Sequence, residues 1–314
     1  MAKTQFVEGS YLTPTWCNSV YYTGGGHVHD GGSDDGHASL INLTSNVSGV
    51  LPQANMSWAP ARGYIDGYQM SYTVGTYACS ITVTEGTARD STNAYNITAT
   101  TSITKNIINA AGNAFVTWTV GNGGGGTAVI SAAALWLHVF VIYNPVSDLT
   151  DIFLDTELNG SNRPITYTYV RRIGSIWIED IGSGRFGIKK FRQYGDKFSW
   201  EAQNLSYSKV GSFAGNVLYD ATMLSPVGVN ADVYGAVKYN QSGTVTTLRM
   251  GNLNPPDEFL INSLGTPGSG SWQNSYFQLM TDTSSRLRLK EDGGGTGSSV
   301  VVYTSGYYDY RGKQ

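Results

Sequence analysis

Ala132-Ala133-Ala134-Leu135-Trp136-Leu137-His138-Val139-Phe140-Val141-Ile142 is the longest apolar run in the chain, and the fold turns on how it is read. It is too short for a membrane-spanning helix, which needs about 20 apolar residues. Its β-branched and aromatic residues favour a buried strand. His138, set inside the run, reads as a core histidine with a polar partner rather than as a metal ligand.

Strand-like stretches surround this run. Tyr68–Val74 and Cys79–Thr84 alternate at period two, with Glu85-Gly86 as a turn. Thr98–Thr104, Ala114–Val120, Thr166–Arg171, Gly174–Glu179, Ile188–Tyr194 and Phe198–Glu201 read the same way, and Asn122-Gly123-Gly124-Gly125-Gly126 is a loop. Thr104–Ala111 could turn as a helix, but its β-branched residues oppose that. Beyond Pro226 the pattern continues through Val233–Tyr239, Thr244–Arg249, Phe259–Asn262, Ser275–Met280, Arg286–Lys290 and Val300–Thr304. Short strands with glycine turns predict an all-β chain built as antiparallel β-sandwich. We divide it into a β-sandwich domain at 58–225 and a C-terminal β domain at 226–314. The second could equally complete the first sandwich.

Composition agrees. The 314 residues include 39 glycines, 12% aromatics and only 14% charged residues, against a usual quarter. The net charge of -3 gives no basic footprint for nucleic acid. A surface so poor in charge suits contact with copies of itself or with carbohydrate. The N-terminal MAKTQFVEGSYL has no apolar signal core, and no window predicts membrane insertion. Cys17 and Cys79 read as free thiols.

The N-terminal part differs. Residues 1–24 form a short lead in which Pro14 opens one or two helical turns carrying Trp16, Val20 and Tyr21 on one face. Residues 25–57 form an extended Gly/His segment, Gly25-Gly26-His27-Val28-His29-Asp30-Gly31-Gly32 onward, with too few apolar groups for a core of its own.

That segment, with Ile41-Asn42-Leu43 and Val47-Ser48-Gly49-Val50-Leu51-Pro52, resembles a linker of tailed-bacteriophage tail fibre and tail spike proteins. Further matching pieces are Glu85–Ser91, Leu137–Ile142, Phe153–Thr156, Tyr169–Ile176, Gly195–Trp200 and the closing Gly306-Tyr307-Tyr308-Asp309-Tyr310-Arg311-Gly312-Lys313. The pieces are short, but their order runs through most of the chain. The resemblance implies a homotrimer in the virion, attached to tail or baseplate proteins by its N-terminus and binding the host surface through its β domains. A structural baseplate or fibre-adaptor protein, bound only to other virion proteins, is the alternative. A polysaccharide depolymerase spike is the third.

In an extended segment His27 and His29 point to one side. Around a threefold axis, three such pairs offer six imidazoles, a set suited to an octahedral first-row ion. Similar motifs in phage fibres bind iron-like metals, which implies that role for His27 and His29. A solvated glycine linker is the other reading, and His37 lacks a paired partner. No catalytic residues are expected. Glu157, Glu179, Asp180, Asp196, Glu201, Asp257 and Glu258 are carboxylates without a pattern that marks a glycosidase pair. Candidate receptor contacts are aromatic, because ring faces stack on sugars: Trp272 and Tyr276, and Tyr307, Tyr308 and Tyr310 in the closing motif. The basic pair Arg171-Arg172 reads mainly as a partner for acids across strands, with a receptor phosphate as the lesser reading.

Overall fold

A computed structural model describes residues 61–73, 79–126, 134–240, 247–253, 262–264, 271–293 and 296–311, with 262–264 and 296 as backbone. All belong to one compact unit, Pro60–Gln314. The expected lead at 1–24, the linker at 25–57, Cys17 and the histidines 27, 29 and 37 lie outside the described residues.

The class is all-β, sandwich-like, with no helix among the described residues. None of the described residues therefore forms a helix long and apolar enough to cross a membrane. In chain order the strands are β1 (Ile65–Gly67), β2 (Met70–Tyr72), β3 (Ser80–Val83), β4 (Gly86–Arg89), β5 (Asn96–Ala99), β6 (Ile103–Asn106) and β7 (Gly123–Gly124). Next come β8 (Leu135–Asn144), β9 (Leu149–Asp155), β10 (Tyr169–Gly182), β11 (Arg185–Ile188), β12 (Phe191–Tyr194) and β13 (Lys197–Ala214). The last are β14 (Leu218–Thr222), β15 (Asp232–Asn240), β16 (Thr247–Gly251), β17 (Asn262–Leu264), β18 (Trp272–Met280), β19 (Arg286–Asp292) and β20 (Thr296–Tyr308).

They form five sheets, ordered β1-β4-β5, β2-β3-β6-β7, β11-β10-β8-β9, β12-β13-β20-β15-β18 and β14-β19-β16-β17. Pairing is antiparallel except at the short β6–β7 contact. The apolar run becomes β8, central in its sheet and buried from Leu137 onward. Burial on both faces explains why it reads as a continuous apolar run, without alternation. Thr104–Ala111 is not a helix: β6 covers its start, and Ile107 and Ile108 are buried beyond it. Ala114–Val120 makes only isolated bridges, Ile108 with Phe115 and Thr117 with Gly126.

Strands from both sides of the expected border at 225 share one sheet, because β13 pairs with β20 and β20 with β15. Chain after 226 thus completes a sheet begun before it. The inner face of that sheet contributes Val233, Val237, Tyr239, Phe277, Leu279, Val300 and Val302 to a single buried cluster. The β14-β19-β16-β17 sheet contributes Ala221, Leu248, Met250, Leu287 and Leu289 to the same cluster.

Polar groups hold the sheets together where apolar contact ends. Lys105 of β6 is fully buried, and its Nζ lies 2.8 Å from Asp151 Oδ1 of β9. It also donates to the carbonyls of Thr119 and Gly121 at 2.7 and 2.6 Å and sits 5.2 Å from the Trp118 ring centre. Burial pushes the amine down and the Asp151 carboxyl up, and their mutual attraction opposes both. Three acceptors around one ammonium, and two backbone N–H groups on Asp151, are the bonding of an ion pair.

Candidate functional site

β18 alternates strictly. Phe277 and Leu279 are buried, while Trp272, Asn274, Tyr276, Gln278 and Met280 face outward. This follows from period two in a strand at the edge of a sheet with one packed face. The register carries the outer face inward across the sheet. Tyr276 lies opposite Ala236, Ala236 opposite Tyr303, and Tyr303 opposite Leu205. The next row places Gln278 opposite Tyr234, and Tyr234 opposite Gly306.

An open cavity of about 620 Å³ lies on this face, bounded by Lys197, Tyr234, Tyr276, Gln278, Ser305 and Tyr308. Tyr276 is 84% exposed. The Lys197 ammonium sits 4.7 Å from the Tyr234 ring centre and 5.6 Å from that of Tyr308. The Tyr234 hydroxyl is engaged, at 2.6 Å from Ser199 Oγ and 3.1 Å from the Phe198 carbonyl it donates to. Burial raises its pKa, so it stays a neutral phenol. Glycines make the site possible. A Cβ on Gly306 would stand 2.1 Å from the Phe198 carbonyl oxygen and 2.3 Å from the Tyr234 hydroxyl.

The five aromatic candidates therefore part company. Tyr276 and Tyr308 line the cavity, and Trp272 is exposed on the same face of β18. Tyr310 lies just past β20 and donates to Asp232 at 2.6 Å, a bond that pushes its pKa up to about 12. Tyr307 is not a surface residue. It is fully buried, stacked on Phe198 at 5.0 Å, edge-on to Trp136 at 5.8 Å, and donates to the Ser175 carbonyl at 2.8 Å. As neighbours in one strand, Tyr307 and Tyr308 must face opposite ways. Lys197, Tyr234 and Tyr303 were not anticipated. The signal for Tyr234 was available, because it sits one residue out of phase with buried Val233.

A second cavity, about 460 Å³, is bounded by Tyr95, Asn96, Thr98, Tyr143, Asp148 and Thr150. Its tyrosines are spent on each other: Tyr95 stacks on Tyr143 at 4.8 Å and on Tyr169 at 4.7 Å.

Several anticipated carboxylates have cation or turn partners. Glu179 pairs with Lys189 at 3.3 Å, Glu201 with Arg192 at 3.6 Å and Asp196 with Arg311 at 2.7 Å. Asp180 accepts from the Gly182 N–H at 2.7 Å, Glu157 is exposed, and Asp257 and Glu258 lie outside the described residues. His138 Nδ1 is 2.8 Å from Ser175 Oγ, and both residues are buried. Burial, helped by the Arg172 charge, lowers the His138 pKa to about 4. The ring is a neutral core imidazole, and the Ser175 hydroxyl also accepts from Arg172 Nη1 at 2.9 Å. Cys79 is a free thiol, its pKa raised by burial. Among the described residues no His, Cys, Asp and Glu group could hold a metal. The His27 and His29 reading lies outside them.

The sequence matches no protein-family model and no curated protein. Among solved structures the chain is similar to an exo-β-1,3-galactanase from Phanerochaete chrysosporium with galactose, at 12% identity over 76% of this chain and 69% of that one, TM-score 0.20. It is also similar to the infectious bursal disease virus VP2 subviral particle, at 9% identity over 79% and 72%, TM-score 0.18. Likenesses this shallow carry no argument about function.

Proposed function

We propose that this chain is a non-enzymatic attachment protein of a tailed-phage particle that binds a host-surface glycan on the outer face of its five-stranded sheet. One observation carries the binding half. Tyr276 and Tyr308 border an open cavity with Lys197, Gln278 and Ser305 around them. Exposed ring faces stack on the C–H faces of sugars, while amide, hydroxyl and ammonium groups supply directional bonds. The phage half rests on the ordered sequence resemblance. On this reading the protein works as a homotrimer, with the His27/His29 segment joining three chains around an iron-like ion and the lead meeting tail or baseplate proteins. The ion pairs that occupy Glu179, Asp196 and Glu201 support a binding role without hydrolysis.

The exposed Leu205, and Met280 at the far end of β18, favour a second reading, in which the same face meets another virion protein. Binding of purified protein to intact host cells, competed by soluble host glycan and weakened by Tyr276→Ala, supports the first reading. Full binding by the variant, or no binding to cells by either protein, counts for the second.

A further inference from the structure

The residues that bound the cavity on the outer face of the five-stranded sheet include one cation, Lys197, and no carboxylate. Among the described residues the Lys197 ammonium makes no ion pair and no hydrogen bond. It rests against the Tyr234 and Tyr308 rings, 4.7 and 5.6 Å from their centres. Ring faces attract an ammonium through their quadrupole but carry no net charge. The charge is therefore uncompensated, and its N–H groups are unbonded among the described residues. Nearby acids are engaged elsewhere. Asp196, its neighbour in sequence, pairs with Arg311 at 2.7 Å. Asp232 stands in the same row of the sheet, opposite Tyr308, which is itself opposite Lys197. Two strand spacings put Asp232 about 10 Å from Lys197. It accepts from the Tyr310 hydroxyl at 2.6 Å.

The same face is cationic further along. Lys238 is exposed on β15, four residues past Tyr234 and so about 13 Å along the strand. Its ammonium lies 5.4 Å from the Tyr303 ring centre, and it too has no ion pair among the described residues. Tyr276, opposite Ala236, falls between the rows of the two lysines. β18 offers only uncharged side chains outward, Trp272, Asn274, Tyr276, Gln278 and Met280. The neutral groups around Lys197 can donate. The Ser305 hydroxyl accepts from Gln203 at 3.0 Å, which leaves its own hydrogen to give, and the Gln278 amide is exposed.

We propose that the glycan taken by this face is acidic, and that Lys197 binds a sugar carboxylate while Tyr276 stacks on the sugar ring. This rests on the reading of the face as a glycan site and adds the class of glycan. A lone ammonium among neutral donors balances one negative charge, which a uronic acid carries. A phosphate monoester brings about two and is better matched by Arg forks, which this cavity lacks. Lys238 extends the match to a polymer that carries its carboxylates at intervals.

The full chain is tested on an array of bacterial surface polysaccharides in neutral, uronic-acid-bearing and phosphate-bearing sets. It is then titrated with the best-bound uronic-acid polysaccharide, before and after chemical reduction of the carboxyls to alcohols. The expected result is binding within the uronic-acid set that falls at least tenfold on reduction and weakens as salt rises. Lys197→Gln should lose at least tenfold on the acidic polymer and leave binding of the reduced polymer unchanged. A purely structural Lys197 would weaken both polymers alike. Lys197→Arg keeps the charge and should keep the preference, so the test stands even where the glutamine variant folds poorly. Affinity unchanged by carboxyl reduction, or binding confined to neutral or phosphate-bearing polymers, overturns the proposal and leaves the glycan reading in place. Binding to no polysaccharide overturns both.

Discussion

Replacing Asp309 by asparagine should remove a large part of the stability of this fold. Asp309 is fully buried and accepts two bonds of 2.6 Å from Arg172. Its Oδ1 also accepts the Arg311 N–H at 2.9 Å, and its own N–H donates to the Asp196 carbonyl at 2.8 Å. Burial alone would raise the Asp309 pKa, but the Arg172 charge, its hydrogen bonds, and the N–H and charge of Arg311 together hold the carboxyl below its usual range. Asparagine keeps the shape, deletes the counter-charge, and turns one acceptor into an NH2 group facing a guanidinium donor. Breaking one partner of a buried ion pair costs about 3–5 kcal/mol. Domains have only about 5–15 kcal/mol in all. Urea unfolding at pH 7, extrapolated to water, measures the loss. The double variant Arg172→Met with Asp309→Leu separates the pair from its surroundings. If the cost is that of an orphaned charge, the double variant should be far less destabilised than the two single changes summed. A loss under about 1 kcal/mol for Asp309→Asn, or a double variant equal to the sum, would refute the reasoning.

His138 gives a pH dependence with a defined window. Its folded pKa lies near 4 against an ordinary 6.5, so the unfolded chain takes up the proton first. Stability therefore falls as pH drops from 6.5 toward 4, by about 3 kcal/mol in full and about 2 kcal/mol by pH 5. Urea titrations of His138→Gln should lack that part of the slope, and an identical slope in both proteins would count against a neutral buried ring. Gly235→Ala sets a Cβ 1.9 Å from the Tyr303 carbonyl oxygen. It should cost about 3 kcal/mol, seen as a lower melting temperature, since backbone on a paired strand cannot move aside. Tyr276→Ala, at an 84% exposed position, should leave the unfolding free energy within about 0.5 kcal/mol. In a glycan-binding assay it should lower affinity roughly tenfold, because ring stacking is worth about 0.5–1.5 kcal/mol beyond the area covered.

The parts of the fold legible in the sequence are those whose signal is local. β15 and β19 alternate buried and open positions, and period two finds them. β8 is legible by length and residue type. β13 was read only at its start, as Phe198–Glu201, although it runs from Lys197 to Ala214. From Glu201 to Ser212 no position is fully buried and the register against β20 shifts, so no period-two alternation marks it. It is held by pairing with β20 at distant positions such as Leu205 with Tyr303. The anchoring pairs are equally silent. Lys105 and Asp151 are 46 residues apart, and Arg172 and Asp309 are 137 apart.

The closing motif shows why composition alone misassigns a binding residue. Gly306, Tyr307, Tyr308, Asp309 and Arg311 were one aromatic and charged cluster in sequence. In the fold each has a different task. Gly306 admits the Tyr234 hydroxyl, and Tyr307 joins two sheets through Ser175 and Trp136. Tyr308 turns outward to the cavity, while Asp309 and Arg311 tie the chain end to β10 and to Asp196. The tail is thus anchored on both sides of half-buried Tyr308. A strand ending in solvent would let Tyr308 swing freely, and a ligand would bear the entropy of fixing it. Burying Tyr307 and Asp309 fixes that ring beforehand. If the aromatic face binds a ligand as proposed, the buried residues of the motif serve half-buried Tyr308, and Asp309→Asn should weaken that binding through the loss of anchorage.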